Sequence, residues 1–262
     1  MKHKRRFSFA SALTALALIV PQSLSAQAPA TPQRWSVITI TTIKPEARME
    51  YEALQKQVTA AYRKAEIPSR ALLQTVLGNL YEYVSISPIT KFADMDGASP
   101  LERGLGKEGA AALASKIAAC ATSMHRMLSR ELPDLSINTQ TSEPPALAMV
   151  TSIHLAPGRA QDFAAWVKSD YLPAAKKAEV KNLWISGPVH GGDPEERIVV
   201  MPLKAMADFD AGPFLTRALG PEGAQKVTAK TAGIVESRSY RVVRYRTDLS
   251  YRMPPARNAG GQ

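Results

Sequence analysis

Hydrophobic positions along the chain fall into short β-branched runs that alternate with longer stretches of three- and four-residue periodicity. Trp35–Ile43 (WSVITITTI) is short and rich in Val, Ile and Thr, which is strand composition. From Pro45 the apolar positions Ala47, Tyr51, Leu54, Val58, Ala61, Tyr62 and Ala65 predict a helix that Pro68 closes. Residues 71–77 and 81–87 flank Gly78-Asn79, a hairpin signature. A small helix is expected at Phe92–Met95, a second long helix from Gly106, and a last strand over 123–131. The order then returns, with a strand at 147–155, a helix at 159–178, strands at 182–190 and 196–203, a helix at 221–234 and a strand at 237–246. Pro173 inside the third of these helices removes a backbone donor and predicts a kink or bulge there.

The recurrence is written in the residues themselves. Residues 93–110 (ADMDGASPLERGLGKEGA) and 207–224 (ADFDAGPFLTRALGPEGA) match at 10 of 18 positions, at an offset of 114. Pro88 matches Pro202, and Arg130, Asp134, Leu135 and Ser136 match Arg244, Asp248, Leu249 and Ser250 at the same offset, each Asp-Leu-Ser being expected to end the last strand of its copy with a side-chain-to-backbone turn. Two copies of a unit this long are a domain pair, since solenoid repeats are shorter and need three or more units. The copies span 35–137 and 147–251, joined by a polar linker at 138–146.

The order β-α-β-β-α-β within each copy is the ferredoxin-like unit, a four-stranded antiparallel sheet with both helices on one face. Strand one carries Ile38 and Ile40 on one side and Val37 on the other, so the sheet needs cover on both faces. On these residues the chain resembles the dimeric α+β barrel superfamily. The resemblance implies an α+β fold of two tandem ferredoxin-like domains packed sheet to sheet as a pseudo-dimeric barrel, with ligands held between the sheets. It also implies a choice of activities, since the superfamily includes cofactor-free monooxygenases, haem-handling proteins, isomerases and stress-response proteins.

Before the first copy, residues 2–6 (KHKRR) are basic and 7–20 (FSFASALTALALIV) apolar, followed by small residues. This is the layout of a secretory signal peptide over 1–26, and it predicts export to the periplasm or beyond. Residues 27–34 and 252–262 read as flexible ends. The formal charge of +10 includes four basic residues of the signal; without them it is +6 and scattered, which gives no nucleic-acid footprint. No span follows the signal, and oligomeric state is not legible. The single Cys120 cannot form an internal disulfide; Ile234 holds its place in the second copy, which predicts packing rather than reactivity.

No G-x-S-x-G, H-E-x-x-H, paired C-x-x-C or glycine fingerprint is present. Asp94/Asp208 and Asp96/Asp210 are explained by capping, without a metal. Function is sought where the copies differ. His154 replaces Thr42 and shares its alternation with Ala148, Val150 and Ser152, the side expected to face between the sheets. Trp184 and His190 share one strand parity where the first copy has Ala71 and, approximately, Leu77. A histidine offers a base and a tryptophan a wall, so these three form the expected ligand site, with His154 as candidate catalytic residue. No built-in cofactor is expected, although one histidine, His154 or His125, would suffice for haem. Three readings stand: an exported binder of a small apolar or aromatic molecule in or beside the barrel; a cofactor-independent oxygenase or isomerase; and a structural or partner-binding domain with a closed core.

Overall fold

A computed structural model describes residues 34–139 and 144–253. The signal segment, most of 27–34, the centre of the linker and the tail from 254 lie outside the described residues. The first half runs β1 (Trp35–Ile43), α1 (Arg48–Lys64), β2 (Ser69–Leu77), β3 (Glu82–Ile89), α2 (Pro100–Cys120) and β4 (Ala121–Glu131), ending in the two-residue strand β5 (Ile137–Asn138). The second runs β6 (Leu147–Leu155), α3 (Ala160–Trp166), a π turn (Val167–Tyr171), α4 (Leu172–Lys177), β7 (Asn182–His190), β8 (Glu196–Leu203), α5 (Phe214–Ala229), β9 (Val235–Tyr245) and β10 (Tyr251–Arg252).

Eight strands close into an antiparallel barrel in the order β2-β3-β1-β4-β7-β8-β6-β9, with β2 pairing β9 to complete the circle. The two halves use one set of registers. Trp35 opposes Ile89 and Arg130, as Leu147 opposes Leu203 and Arg244. Both central strands end on the same irregularity, between Thr42 and Ile43 and between His154 and Leu155. The seams match too. Each is a short antiparallel ladder, and each skips one residue, Val189 in β7 and Val76 in β2. The sheets therefore join edge to edge into one barrel wall.

Alternation along that wall decides what is inside. Ile153 and Leu155 pack with Phe163, Trp166, Val167, Leu183, Ile185 and Phe214 under the helices of the second half. Ile43, Leu72 and Tyr83 pack with Tyr51, Leu54, Leu113 and Cys120 in the first. The opposite parity forms a cluster of strand residues alone, Ala148, Val150 and Val243 with Leu73, Ile198 and Val200, which fills part of the barrel interior. Cys120 is 2% exposed, and burial pushes its thiol up from its ordinary value. Cys120→Ala should cost about 1–2 kcal/mol of stability through the small void it leaves, with native thiol labelling by a bulky reagent as the check: slow labelling is expected, and rapid labelling would contradict burial.

Three details differ from expectation. The α2 helix starts at Pro100 because Ser99 and Glu102 make a capping box, Ser99 Oγ accepting from the Glu102 amide at 3.2 Å and the Glu102 carboxylate from the Ser99 amide at 2.7 Å. Gly106 and Gly220 are therefore interior breaks, at φ +76° and +72°, a left-handed geometry that accounts for their recurrence in both copies. The α5 helix also stops five residues short of its expected end: the chain turns through 230–234 with Gly233 at φ +71°.

The third difference concerns the Asp-Leu-Ser segments after β4 and β9, which read as local strand terminators. Each crosses to the other half. Leu135 is buried in the second half's core, Ser136 Oγ accepts from the Ile185 amide at 2.9 Å, and β5 pairs β7. Leu249 is fully buried in the first half's core, Ser250 Oγ accepts from the Leu72 amide at 2.8 Å, and β10 pairs β2. Each half thus completes its hydrophobic core with a leucine from the other.

Pro173's helix contains the bulge its sequence predicts. The π turn at Val167–Tyr171 takes up the one extra residue of this copy immediately before Pro173.

Candidate functional site

Consecutive residues of β9 serve two different surfaces. Ser237 and Ser239 point to the barrel interior opposite His154 and Ser152, whereas Arg238, opposite Ile153, points outwards to the helix layer.

On the interior side His154 lines an open groove of about 310 Å³ with Ser152, Asp193, Glu196, Ser237 and Ser239. Its Nδ1 is 3.2 Å from an Asp193 carboxylate oxygen and its Nε2 is 3.4 Å from one of Glu236. Both ring nitrogens face carboxylate oxygens, so the imidazole bridges the β7–β8 loop and β9. The bridge is partly exposed, and His154→Ala should lower stability by under about 1 kcal/mol, a midpoint shift of about 2–4 °C in thermal unfolding. A much larger drop would show the bridge to be a main support of the loop.

The other two residues expected beside His154 lie elsewhere. Trp184 shares the interior parity but pairs with Val200, which pairs with Val150, four residues along β6 from His154 and so roughly 13 Å away along the strand. His190 is exposed and stands edge-on to Phe92, 6.3 Å between centroids, beside the Trp35–Phe92 pair. The bulge at Val189 is the reason: one extra residue reverses the alternation, so Trp184 and His190 do not share a face. His125 opposes Ile40 and is exposed. Haem ligation needs an imidazole nitrogen directed into an apolar slot; the groove beside His154 is lined by Ser152, Asp193, Glu196, Ser237 and Ser239, and His125 and His190 are exposed, so none of the three fits that need.

On the outer side the early end of α5 opens a cleft of about 620 Å³ between the helix and β9. Its walls mix aliphatic residues, among them Leu215, Ala224, Ala229 and Val235, with the polar Thr216, Gln225, Thr228, Thr231 and Arg238. Arg238 Nη2 donates to Thr231 Oγ1 at 2.7 Å, and that hydroxyl donates to the Thr228 carbonyl at 2.7 Å. At the offset of 114 the first half has Ala114, Ile117, Ala119 and Met124 for Thr228, Thr231, Gly233 and Arg238. There α2 continues to Cys120, and Ile117 is buried in the core.

The π turn supports this cleft from behind. It carries Tyr171, whose ring packs against Trp166 at 5.0 Å and Phe214 at 4.9 Å. Burial holds the Tyr171 hydroxyl well above its ordinary range, the neighbouring Tyr240 adds to the rise, and Arg238 opposes it. Asp170 of the same turn takes Lys230 at 2.6 Å, and Trp166 Nε1 donates to the Val227 carbonyl at 3.0 Å, so the turn is fixed to the end of α5.

Arg238 and Thr231 were not among the residues expected from sequence. Each is ordinary alone; the signal was their replacement of Met124 and Ile117 across the repeat.

No family model and no curated sequence matches the chain. Solved structures do. The chain is similar to a monooxygenase-like protein of Lactobacillus acidophilus, at 13% identity over 84% of this chain and 96% of that one, with a TM-score of 0.56. An anthrone oxidase-like protein gives 12% identity, 88% and 98% coverage and a TM-score of 0.59. A chlorite dismutase-like protein gives 10%, 84% and 97%, and 0.52. At these identities the likeness is one of fold.

Proposed function

We propose that this chain, whose fold is that of the dimeric α+β barrel superfamily, is an exported binder of a small, largely apolar molecule held beside the barrel, in the cleft between α5 and β9. The observation that carries the reading is the asymmetry of the two helix ends. Where α2 runs to Cys120 and packs shut, α5 stops at Ala229 and leaves an open cleft of about 620 Å³, part aliphatic, with Arg238, Thr231 and Thr228 as one set of polar groups. Matching strand orders, registers and seams support a duplicated ferredoxin-like unit, its copies related by an approximate two-fold axis along the barrel. Duplication frees one copy to open a site while the other keeps the scaffold. Export rests on the basic and apolar runs at 2–6 and 7–20, and amino-terminal sequencing of the protein from the periplasmic fraction tests it. No helix among the described residues is long and apolar enough to cross a membrane.

A catalytic reading finds support in the names of the monooxygenase-like and anthrone oxidase-like neighbours. Against it stands the geometry of His154, whose nitrogens both face carboxylates.

The test is to extract small molecules from the natively purified protein and identify them by mass spectrometry. Thr228 is an exposed cleft residue, so Thr228→Trp should fill the space without disturbing the core. The variant is expected to keep its thermal midpoint and lose the co-purified molecule. Retention of the same molecule in full would overturn the cleft as its site.

A further inference from the structure

We infer that the ligand of this cleft is an aliphatic carboxylate, with the Arg238 guanidinium as its counter-ion. The inference rests on the cleft being the binding site, and it adds the chemical class of what binds.

Arg238 makes one side-chain hydrogen bond, to Thr231 Oγ1, and no carboxylate of the described residues lies within 4.0 Å of it. Two other partly buried arginines, Arg246 and Arg197, are met more fully. Arg246 holds Glu52 and Asp248, and Arg197 donates to two backbone carbonyls at 2.7 and 2.8 Å. Half-buried at the cleft wall, Arg238 retains most of its five donors for a ligand. A planar carboxylate is the anion that a guanidinium fork takes in two parallel bonds.

The acids nearby do not compete for it. Asp170 is occupied by Lys230, and Glu236, the residue skipped at the irregularity of β9, faces His154. Thr231 fixes the fork, since its hydroxyl is itself anchored to the Thr228 carbonyl.

The remainder of the lining selects the tail. Pro213, Leu215, Ala224, Ala229, Ala232 and Val235 are aliphatic, Thr216 and Gln225 are polar, and none of the lining residues is aromatic. Such a surface accepts an alkyl chain through burial of its methylenes, each contributing about 0.8 kcal/mol in transfer, and offers no face on which a flat ring would stack.

The experiment is calorimetric titration of the purified protein with sodium octanoate and, separately, 1-octanol at neutral pH, repeated on Arg238→Gln and Thr228→Trp. Octanoate is expected to bind at least tenfold more tightly than octanol. Arg238→Gln should remove that advantage, costing octanoate about tenfold or more and octanol little. Thr228→Trp should weaken both, which places the probe in the cleft. Equal affinity for the two probes, unchanged by Arg238→Gln but lost in Thr228→Trp, would overturn the carboxylate and leave the cleft reading intact. Octanoate binding that Thr228→Trp leaves unaltered would overturn the assignment of either probe to the cleft.

Discussion

A chain ended after Arg246 is expected to lose cooperative folding of its first half. The deletion removes Leu249, which is fully buried among Leu72, Tyr83, Leu113 and α1, and exchanging that leucine for alanine alone should cost about 2–5 kcal/mol. It also removes the Leu249 carbonyl, which accepts from Thr59 Oγ1 at 2.8 Å and Arg70 Nη1 at 3.1 Å. Arg70 is 3% exposed, and its other side-chain acceptors are the neutral groups of Thr59 and Gln55. A buried cation stripped of an acceptor adds its own penalty. Tyr251 goes as well, with its hydroxyl donating to the Ile67 carbonyl at 2.8 Å. Against a whole-domain stability of about 5–15 kcal/mol, these losses are comparable to the total. Thermal unfolding followed by near-ultraviolet circular dichroism decides the matter. A truncated chain melting within a few degrees of the intact one would show that the crossing tails are ornamental. The milder Leu249→Ala and Leu135→Ala variants should both fold, each destabilised by a similar amount.

The second large effect is expected at Glu52. Arg246 holds its carboxylate in two parallel bonds, at 2.7 and 2.9 Å, and the Tyr83 hydroxyl donates to it. The Arg246 hydrogen bonds pull the Glu52 carboxyl down from 4.5 to about 2, against a smaller upward push from burial, with Tyr83 adding to the fall. Tyr83 is raised in turn, by burial first and then by its bond to Glu52. Because the folded value is depressed, the stabilisation is fully present above the unfolded value near 4.5 and is lost as pH falls from there towards 2. Glu52→Gln should therefore cost about 2–3 kcal/mol at neutral pH, part of the penalty of a broken buried pair discounted for partial exposure. It should also flatten the acid limb of the stability curve between about pH 4.5 and 2. Parallel urea titrations of wild type and variant at pH 7, 4 and 2.5 test this. The two curves should converge at the acid end, and a constant gap would assign the loss to packing.

Much of the architecture was legible because local patterns and the repeat agreed. Strands at 147–155, 182–190 and 196–203 stand where their β-branched runs begin and end. Helix starts were read too late because Gly106-Lys-Glu-Gly looks like an opening, while the capping signature Ser99-Pro-Leu-Glu102 lies seven residues earlier. The two-residue strands β5 and β10 carry no periodicity and exist only through partners far along the chain, Leu183 and Arg70.

The interior parity of His154 follows from alternation, as expected. Its neighbours did not follow, because a single unpaired residue at Val189 flips His190 outward and no composition announces such a bulge. The cleft was hidden for another reason. It arises from a helix that ends early, and the difference is distributed over four small replacements rather than one distinctive side chain.

The exchange of leucines also gives the molecule an order of completion. The second half receives Leu135 from chain made before it, so its core has all its parts once its own residues are present. The first half must wait for Leu249, almost the last described residue, before its oldest strands can close over a finished interior. During synthesis from the amino end the first half therefore stays unfinished until Leu249 has emerged, after every strand of the second half's sheet. Any factor that holds the young chain open, or threads it through a pore, acts on a polypeptide that has not yet been given its final bolt.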